Sequence, residues 1–379
     1  MERRDWMKAF GTLAAGGVVY VLTAPAHRVQ AGSRAVPGGP AAEQHPARYY
    51  TRLEGKAVRC DLCFRQCRIA AGNSGFCRNR VNDGGSLYTT VYGRPSAVNV
   101  EPTEKEPMHH FLPGSNMLCI GTASCNFRCQ FCHNWHLSQH SVDEVTRRFA
   151  LTPAEAVRLA QRRGVPSISF TYNEPTVFYE YMYDVAEEAQ AAGVRIIFHS
   201  NGGMRPEPLK DILQYTDAVT MDLKGFRDEY YQRLCEARLD PVLESLKIVR
   251  QEGVWLEIVN LVLPGYNDDT EELQSMCRWI RAELGPDVPL HFSRFSPAYK
   301  MTHLTPTPVA TLEGCRDIAH EEGIRYVSIG NVPGHRDNSS FCPQCGELII
   351  ERFHFSVGAV NLDDGRCTFC DTPIPGIWE

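Results

Sequence analysis

The chain has 379 residues, 43% hydrophobic and 22% charged, the balance of a globular protein with room for one large core and small appended units. A formal net charge of −6, with no basic stripe and no interleaving of aromatic and basic residues, speaks against a nucleic-acid partner. Fifteen cysteines are many for this length, and eleven fall in three tight clusters, which points to metal rather than to disulfides.

In chain order, residues 1–31 read as a twin-arginine-like export signal: Arg3-Arg4, a weakly apolar Gly/Ala-rich stretch, then the small-x-small sequence Ala24-Pro25-Ala26. Such a signal implies periplasmic export of a folded protein, or membrane association through the N-terminus; a cytoplasmic location is the alternative. Residues 32–49, rich in Ala, Gly and Pro, read as a linker. No other stretch approaches the ~20 apolar residues of a membrane span.

Residues 50–110 carry Cys60, Cys63, Cys67 and Cys77. Gaps of two, three and nine are unlike a zinc ribbon, and an auxiliary iron–sulfur cluster and a structural zinc both remain open there. His109 and His110 close the region and read as packed or solvated side chains rather than ligands. Cys119, Cys235, Cys277 and Cys315 stand alone and read as small buried hydrophobes.

From 111 to 332 the chain alternates apolar strands with amphipathic helices. Met117–Ile120 is a strand; Thr152-Pro153-Ala154-Glu155 opens a helix with a capping box and stops it at Gly164. Strands follow at 167–171, 194–198, 217–221, 254–259, 290–295 and 326–329, with helices after Pro175 and from Asp240-Pro241 to Gly253. Strands alternating with helices imply parallel pairing, and six or seven such units predict an α/β fold, a full or partial (β/α) barrel. In barrels of this kind reactive residues sit at the C-terminal ends of the strands.

Directly behind the first of these strands lies Cys125-Asn126-Phe127-Arg128-Cys129-Gln130-Phe131-Cys132. Three thiolates suit a 4Fe–4S cubane in which one iron keeps an open position, where a redox-only cluster would bring a fourth. Residues 333–379 carry Cys342-Pro343-Gln344-Cys345 and Cys367-Thr368-Phe369-Cys370, two knuckles whose spacing is that of a closed four-thiolate site holding zinc or iron, ribbon-like or rubredoxin-like.

The CxxxCxxC loop, with Phe131 before its last cysteine, resembles the radical S-adenosylmethionine (radical SAM) superfamily. The resemblance implies a partial (β/α) barrel with small cysteine-rich metal-binding units at both ends. It also implies a 4Fe–4S cluster on Cys125, Cys129 and Cys132 whose open iron chelates S-adenosylmethionine, and a 5′-deoxyadenosyl radical that abstracts hydrogen from a substrate. It places cofactor-binding residues at the strand ends: Asn173 and Glu174, the latter facing the methionine ammonium; Asn201; Asp222 and Lys224; and Asn331.

Cys60-Asp61-Leu62-Cys63 with Cys67 and Cys77, the stretch Glu101–Phe111, the triple cysteine and the terminal knuckles together resemble the radical SAM protein of the AmmeMemoRadiSam system over residues 50–379. That group is similar to pyruvate formate-lyase activating enzyme over the barrel. Its implied partners are a low-potential electron donor and a substrate that is either a small molecule or a protein glycyl site. A non-catalytic multi-cluster electron-transfer or metal-binding protein is the competing reading.

Overall fold

A computed structural model describes residues 44–379. The expected signal and most of the expected linker lie outside the described residues. Among the described residues no helix is long and apolar enough to cross a membrane.

The expected strands form one eight-stranded sheet. An antiparallel strand β1 (Ala97–Pro102) leads into seven parallel ones: β2 (Asn116–Gly121), β3 (Ser167–Phe170), β4 (Arg195–Ser200), β5 (Ala218–Asp222), β6 (Trp255–Val262), β7 (Leu290–Arg294) and β8 (Val327–Gly330). They lie in chain order, and β1 and β8 are not paired, so the barrel is partial. Side chains alternate between faces along each strand. Leu118, Ile120, Ile168, Phe170, Ile196 and Phe198 join the large core under the helices. Their neighbours Met117, Cys119, Ile197 and Ala218 turn to the inner face, where Met108 and Phe111 pack on them.

The helix Pro153–Arg163 starts as its capping box requires: Thr152 Oγ1 accepts from the Glu155 amide, and Glu155 Oε2 accepts from the Thr152 amide at 2.9 Å. Gly164 ends it in the left-handed region, at φ 64°. After Pro175 a short 3₁₀ turn precedes the helix Tyr179–Ala191. Helices at Pro206–Leu213, Asp240–Gln251, Thr270–Glu283 and Val309–Glu321 complete the outer layer.

All described residues fall in one compact unit, so the cysteine-rich ends are built onto the barrel. The end of the expected linker is in fact structured. His45 and Pro46 pair with Thr89 and Tyr88, the His45 ring stacks on Tyr92 at 3.7 Å, and Tyr49 Oη donates to Asp211 Oδ2 at 2.5 Å. Aromatic contacts outweigh the linker-like composition there. Cys63 and Met204 form a β-bridge, and the Phe64 amide donates to Gly203 O, so the N-terminal cysteines rest on the loop that follows β4. The C-terminal unit is a three-stranded antiparallel sheet whose tail pairs Ile377 with Phe111.

Candidate active site

The loop carrying Cys125, Cys129 and Cys132 leaves the C-terminal end of β2. Amides of Arg128 and Gln130 donate to Cys235 O (2.8 Å) and Leu234 O (2.9 Å), anchoring the loop on a turn of π-helix at Tyr231–Cys235. Asn201 Nδ2 donates to Asn126 Oδ1 at 2.8 Å and lies 3.6 Å from Cys125 Sγ. The Phe127 amide is 3.3 Å from the same sulfur, and Ser138 Oγ is 3.1 Å from Cys132 Sγ. Donors aimed at thiolates stabilise their ionised form and tune a bound metal. At Gly203 a Cβ would lie 2.9 Å from Asn126 and Phe127, so only glycine lets this loop lie against the cysteine loop.

The three cysteines line a cavity of about 230 Å³ together with Asn173, Glu174, Asn201, Asp222 and Lys224. Five of the six expected cofactor residues therefore meet at one place. Their structural partners differ. Asn173 braces the cysteine loop, accepting from the Thr122 amide (3.0 Å) and donating to Ser124 O (2.8 Å). Glu174 is buried, and its two oxygens accept from the Thr176 amide and hydroxyl, the Ser200 hydroxyl and the Asn201 amide. That carboxylate fixes the loop after β4, and burial pushes its pKa up despite the four donors. Asn331, the sixth, is exposed with φ 60° and lines a different cavity.

That second cavity, about 410 Å³, is the barrel lumen. It shares Tyr172, His199, Asp222 and Lys224 with the first, so the two adjoin. Asp222 sits between Lys224 Nζ at 2.7 Å and His199 Nε2 at 3.2 Å. Burial works against its charge, but Lys224 and His199 hold it well below the usual carboxylate range. Deeper in the lumen, Glu106 accepts from Ser169 Oγ at 2.7 Å, and burial raises its pKa to about 7. On the floor, Glu257 takes the amides of His109 and His110 and lies 2.6 Å from His291 Nε2. His109 and His110 are thus packed side chains. His199, Glu106 and His291 were not singled out individually from the sequence, although Glu106 lies within the quoted Glu101–Phe111 stretch and His199 and His291 lie in the strand-end segments 198–202 and 291–295.

Sulfur geometry separates the cysteine sets. In the C-terminal set Cys342, Cys345, Cys367 and Cys370 bring their sulfurs within 4.8 Å of one another, with pairs at 3.6 and 3.8 Å. Bonds of about 2.3 Å to one zinc keep any two thiolates within about 4.6 Å, so this set fits a single tetrahedral ion. The sulfurs of Cys125, Cys129 and Cys132 are not gathered so tightly among the described residues, as suits a cluster whose thiolates bind different irons. Three thiols spread around a cavity that also offers an amide, a lysine and a carboxylate fit a 4Fe–4S cluster with an amino-acid-bearing ligand beside it.

A partial barrel with three convergent thiols at its strand ends and a polar lumen beneath them defines the radical SAM class of enzyme. Residues 119–277 match the family described as the Radical SAM superfamily. The chain is 44% identical over 330 residues to the uncharacterized protein MJ0808 of Methanocaldococcus jannaschii, across 86% of this chain and 98% of that protein. It is 25% identical over 218 residues to the pyruvate formate-lyase 1-activating enzyme of Escherichia coli, across 54% of this chain and 88% of the relative. A solved radical SAM methyltransferase from Sphaerobacter thermophilus aligns at a TM-score of 0.46 and 17% identity, over 63% of this chain and 71% of that one. The chain belongs to the radical SAM superfamily and is related to the pyruvate formate-lyase activating enzymes. Membership implies a 4Fe–4S cluster and S-adenosylmethionine.

Proposed function

We propose that the protein is an S-adenosylmethionine-cleaving radical enzyme, with Cys125, Cys129 and Cys132 holding the cluster and the lumen holding a small polar substrate. The observation that carries this reading is the three-cysteine cavity lying against a lumen lined by Glu106, His199, Asp222 and Lys224, the last three shared by both. When bound, the cluster supplies the electron that splits S-adenosylmethionine and yields a 5′-deoxyadenosyl radical for hydrogen abstraction. Asn201 and the Phe127 amide donate toward the Cys125 sulfur, contacts that would favour its thiolate as a ligand of the cluster. Lys224 and Asp222 stand where the two cavities meet and orient charged groups of the cofactor or substrate there. Glu106, with its pKa near neutrality, can give or take a proton within the lumen. Met108 and Phe111 keep water out of the inner face from below.

A cavity of this size suits a drug-sized molecule, which favours small-molecule modification over a protein glycyl site. The glycyl reading draws its support from the relatives named as pyruvate formate-lyase activating enzymes, and the AmmeMemoRadiSam reading from the motifs at both ends of the chain. In either case a low-potential one-electron donor is the implied partner. We also read residues 1–31 as a twin-arginine signal, a reading that sequencing the mature N-terminus from fractionated cells tests.

Anaerobic reconstitution, reduction and incubation with S-adenosylmethionine should produce 5′-deoxyadenosine. Alanine at Cys125, Cys129 or Cys132 should abolish it. Turnover surviving in any of these variants would overturn the cysteine assignment. A fully loaded wild-type protein that cleaves nothing would favour the non-catalytic electron-transfer reading.

A further inference from the structure

The N-terminal cysteines form a site that the proposed reaction does not use. Cys60, Cys63, Cys67 and Cys77 line one small cavity, walled by apolar groups and by Arg65, Arg80 and Asn126. Cys60 lies on a short strand, Cys63 and Cys67 on the turn after it, and Cys77 comes from a separate loop, so the four approach from different sides.

Spacing decides what they can hold. Among the described residues no three of these four sulfurs lie within 4.8 Å of one another, whereas all four C-terminal sulfurs do. One ion with bonds of about 2.3 Å cannot reach thiolates spread that far. The central triad, which the family assigns to a cubane, is likewise not gathered within 4.8 Å among the described residues. A cluster spans the gap because each thiolate binds its own iron and bridging sulfides fill the middle.

The walls also suit an anionic, sulfide-bearing group. Arg80 is 1% exposed; its Nη2 pairs with Glu180 at 2.6 Å and its Nη1 donates to Arg48 O, but its Nε has no partner, and Asn126 is fully buried with its Nδ2 unpartnered. Both residues line the cavity, and buried donors of this kind are stable when an acceptor faces them. The Arg65 guanidinium lies over the Phe76 ring at 3.4 Å, on the same wall.

Position gives the site its role. Asn126 follows Cys125 directly and links the two cysteine sites: its Oδ1 accepts from Asn201, which lines the central cavity, while Asn126 itself lines the N-terminal one. Arg128 donates to Cys125 O at 2.6 Å and to Phe76 O, next to Cys77, at 2.7 Å. Ser124 Oγ donates to Cys77 O. A single hydrogen-bonded layer therefore separates the two sites.

We propose that Cys60, Cys63, Cys67 and Cys77 hold a polynuclear iron–sulfur cluster that relays electrons to the Cys125–Cys132 site. One electron enters from an external reduced flavodoxin- or ferredoxin-type protein, which is oxidised by one electron. One electron leaves across the Asn126–Arg128 layer to the central site, and no atom or proton is transferred. The relay rests on the function proposed above; the cluster itself does not.

The test uses the full chain with Cys125, Cys129 and Cys132 all changed to alanine, purified and reconstituted without oxygen. Acid-labile sulfide and iron should persist in equal numbers, roughly two to four of each per chain beyond the single C-terminal ion, with a reduced-state electron paramagnetic resonance signal. Adding Cys60→Ser and Cys63→Ser should remove that sulfide while the C-terminal ion stays bound, which reports a folded protein. Zinc without sulfide at the N-terminal site would overturn the proposal, whatever the wild type does with S-adenosylmethionine. In fully reduced wild-type protein the two signals should broaden each other. Two unperturbed signals that simply add would overturn the relay.

Discussion

His199 and Asp222 face each other across the ends of adjacent strands β4 and β5, Nε2 to Oδ1 at 3.2 Å, where the cysteine cavity and the lumen adjoin. Burial lowers the His199 pKa, but the charge of Asp222 outweighs it and leaves the imidazole above its ordinary 6.5. A raised folded value means that this pair stabilises the fold fully below pH 6.5 and less as pH climbs through the folded value. Asp222→Asn should bring the His199 titration, followed by NMR of its ring protons, below the ordinary value and erase that part of the pH dependence. An unmoved titration would remove Asp222 as the cause.

Glu106 works in the opposite sense. Its pKa, raised by burial from 4.5 to about 7 against the pull of His199, means the folded protein binds this proton more tightly than the unfolded chain. Stability falls as pH rises from about 4.5 to 7. Glu106→Gln should therefore leave stability unchanged near pH 4 and raise it at pH 8, by about 3 kcal/mol at most. Turnover should fall by about 10²-fold if this carboxyl moves a proton. Urea titrations at the two pH values check the first statement, and a pH–rate profile the second.

Arg352 reaches from the C-terminal sheet into the barrel floor. It donates to Ser340 Oγ at 2.9 Å and to His109 O, and its Nε lies 3.7 Å from Glu104 Oε1. Both side chains are closed to solvent, and burial raises the Glu104 pKa despite the guanidinium, so desolvation is the larger effect. Arg352→Met alone leaves a buried carboxylate without its partner and should cost about 3–5 kcal/mol. The double change Arg352→Met, Glu104→Gln should recover much of that loss in denaturant melts.

The C-terminal cysteines should hold one metal ion per chain with no sulfide. Chelating it, or replacing Cys342 and Cys345 with serine, should expose the amides of Leu348–Phe353 and Ser356–Val360 to hydrogen exchange. Because Arg352 and Ile377 tie this unit to His109, His110 and Phe111, residues 103–112 should lose protection with it. Protection confined to its wild-type pattern after metal removal would show that the ion does not hold the unit together.

Much of this architecture was legible in local chemistry. The Thr152 capping box, Gly164, the apolar runs of β2 through β8 and the CxxxCxxC spacing each act within a few residues, so the sequence alone shows an α/β barrel with three thiols at a strand end. The helix Thr270–Glu283 was legible too, since Asp269 caps it by accepting from the Glu272 amide, though it was not read out. Val309–Glu321 carries Gly314 and no side-chain cap, so its start has no local signal, and Leu312, Cys315 and Ala319 bury one face of it.

What the tertiary structure decided was distance. Sequence spacing left zinc and iron–sulfur open for Cys60, Cys63, Cys67 and Cys77, because the separation of four sulfurs depends on how a strand, a turn and a distant loop converge. It placed Glu174 at a strand end but could not show that four donors already hold its carboxylate. Nor could it show that Glu106, Ser169 and His199, 93 residues apart from first to last, share one lumen. A partial charge or a pKa depends on neighbours brought together by the barrel, and the barrel exists only when every strand has found its register.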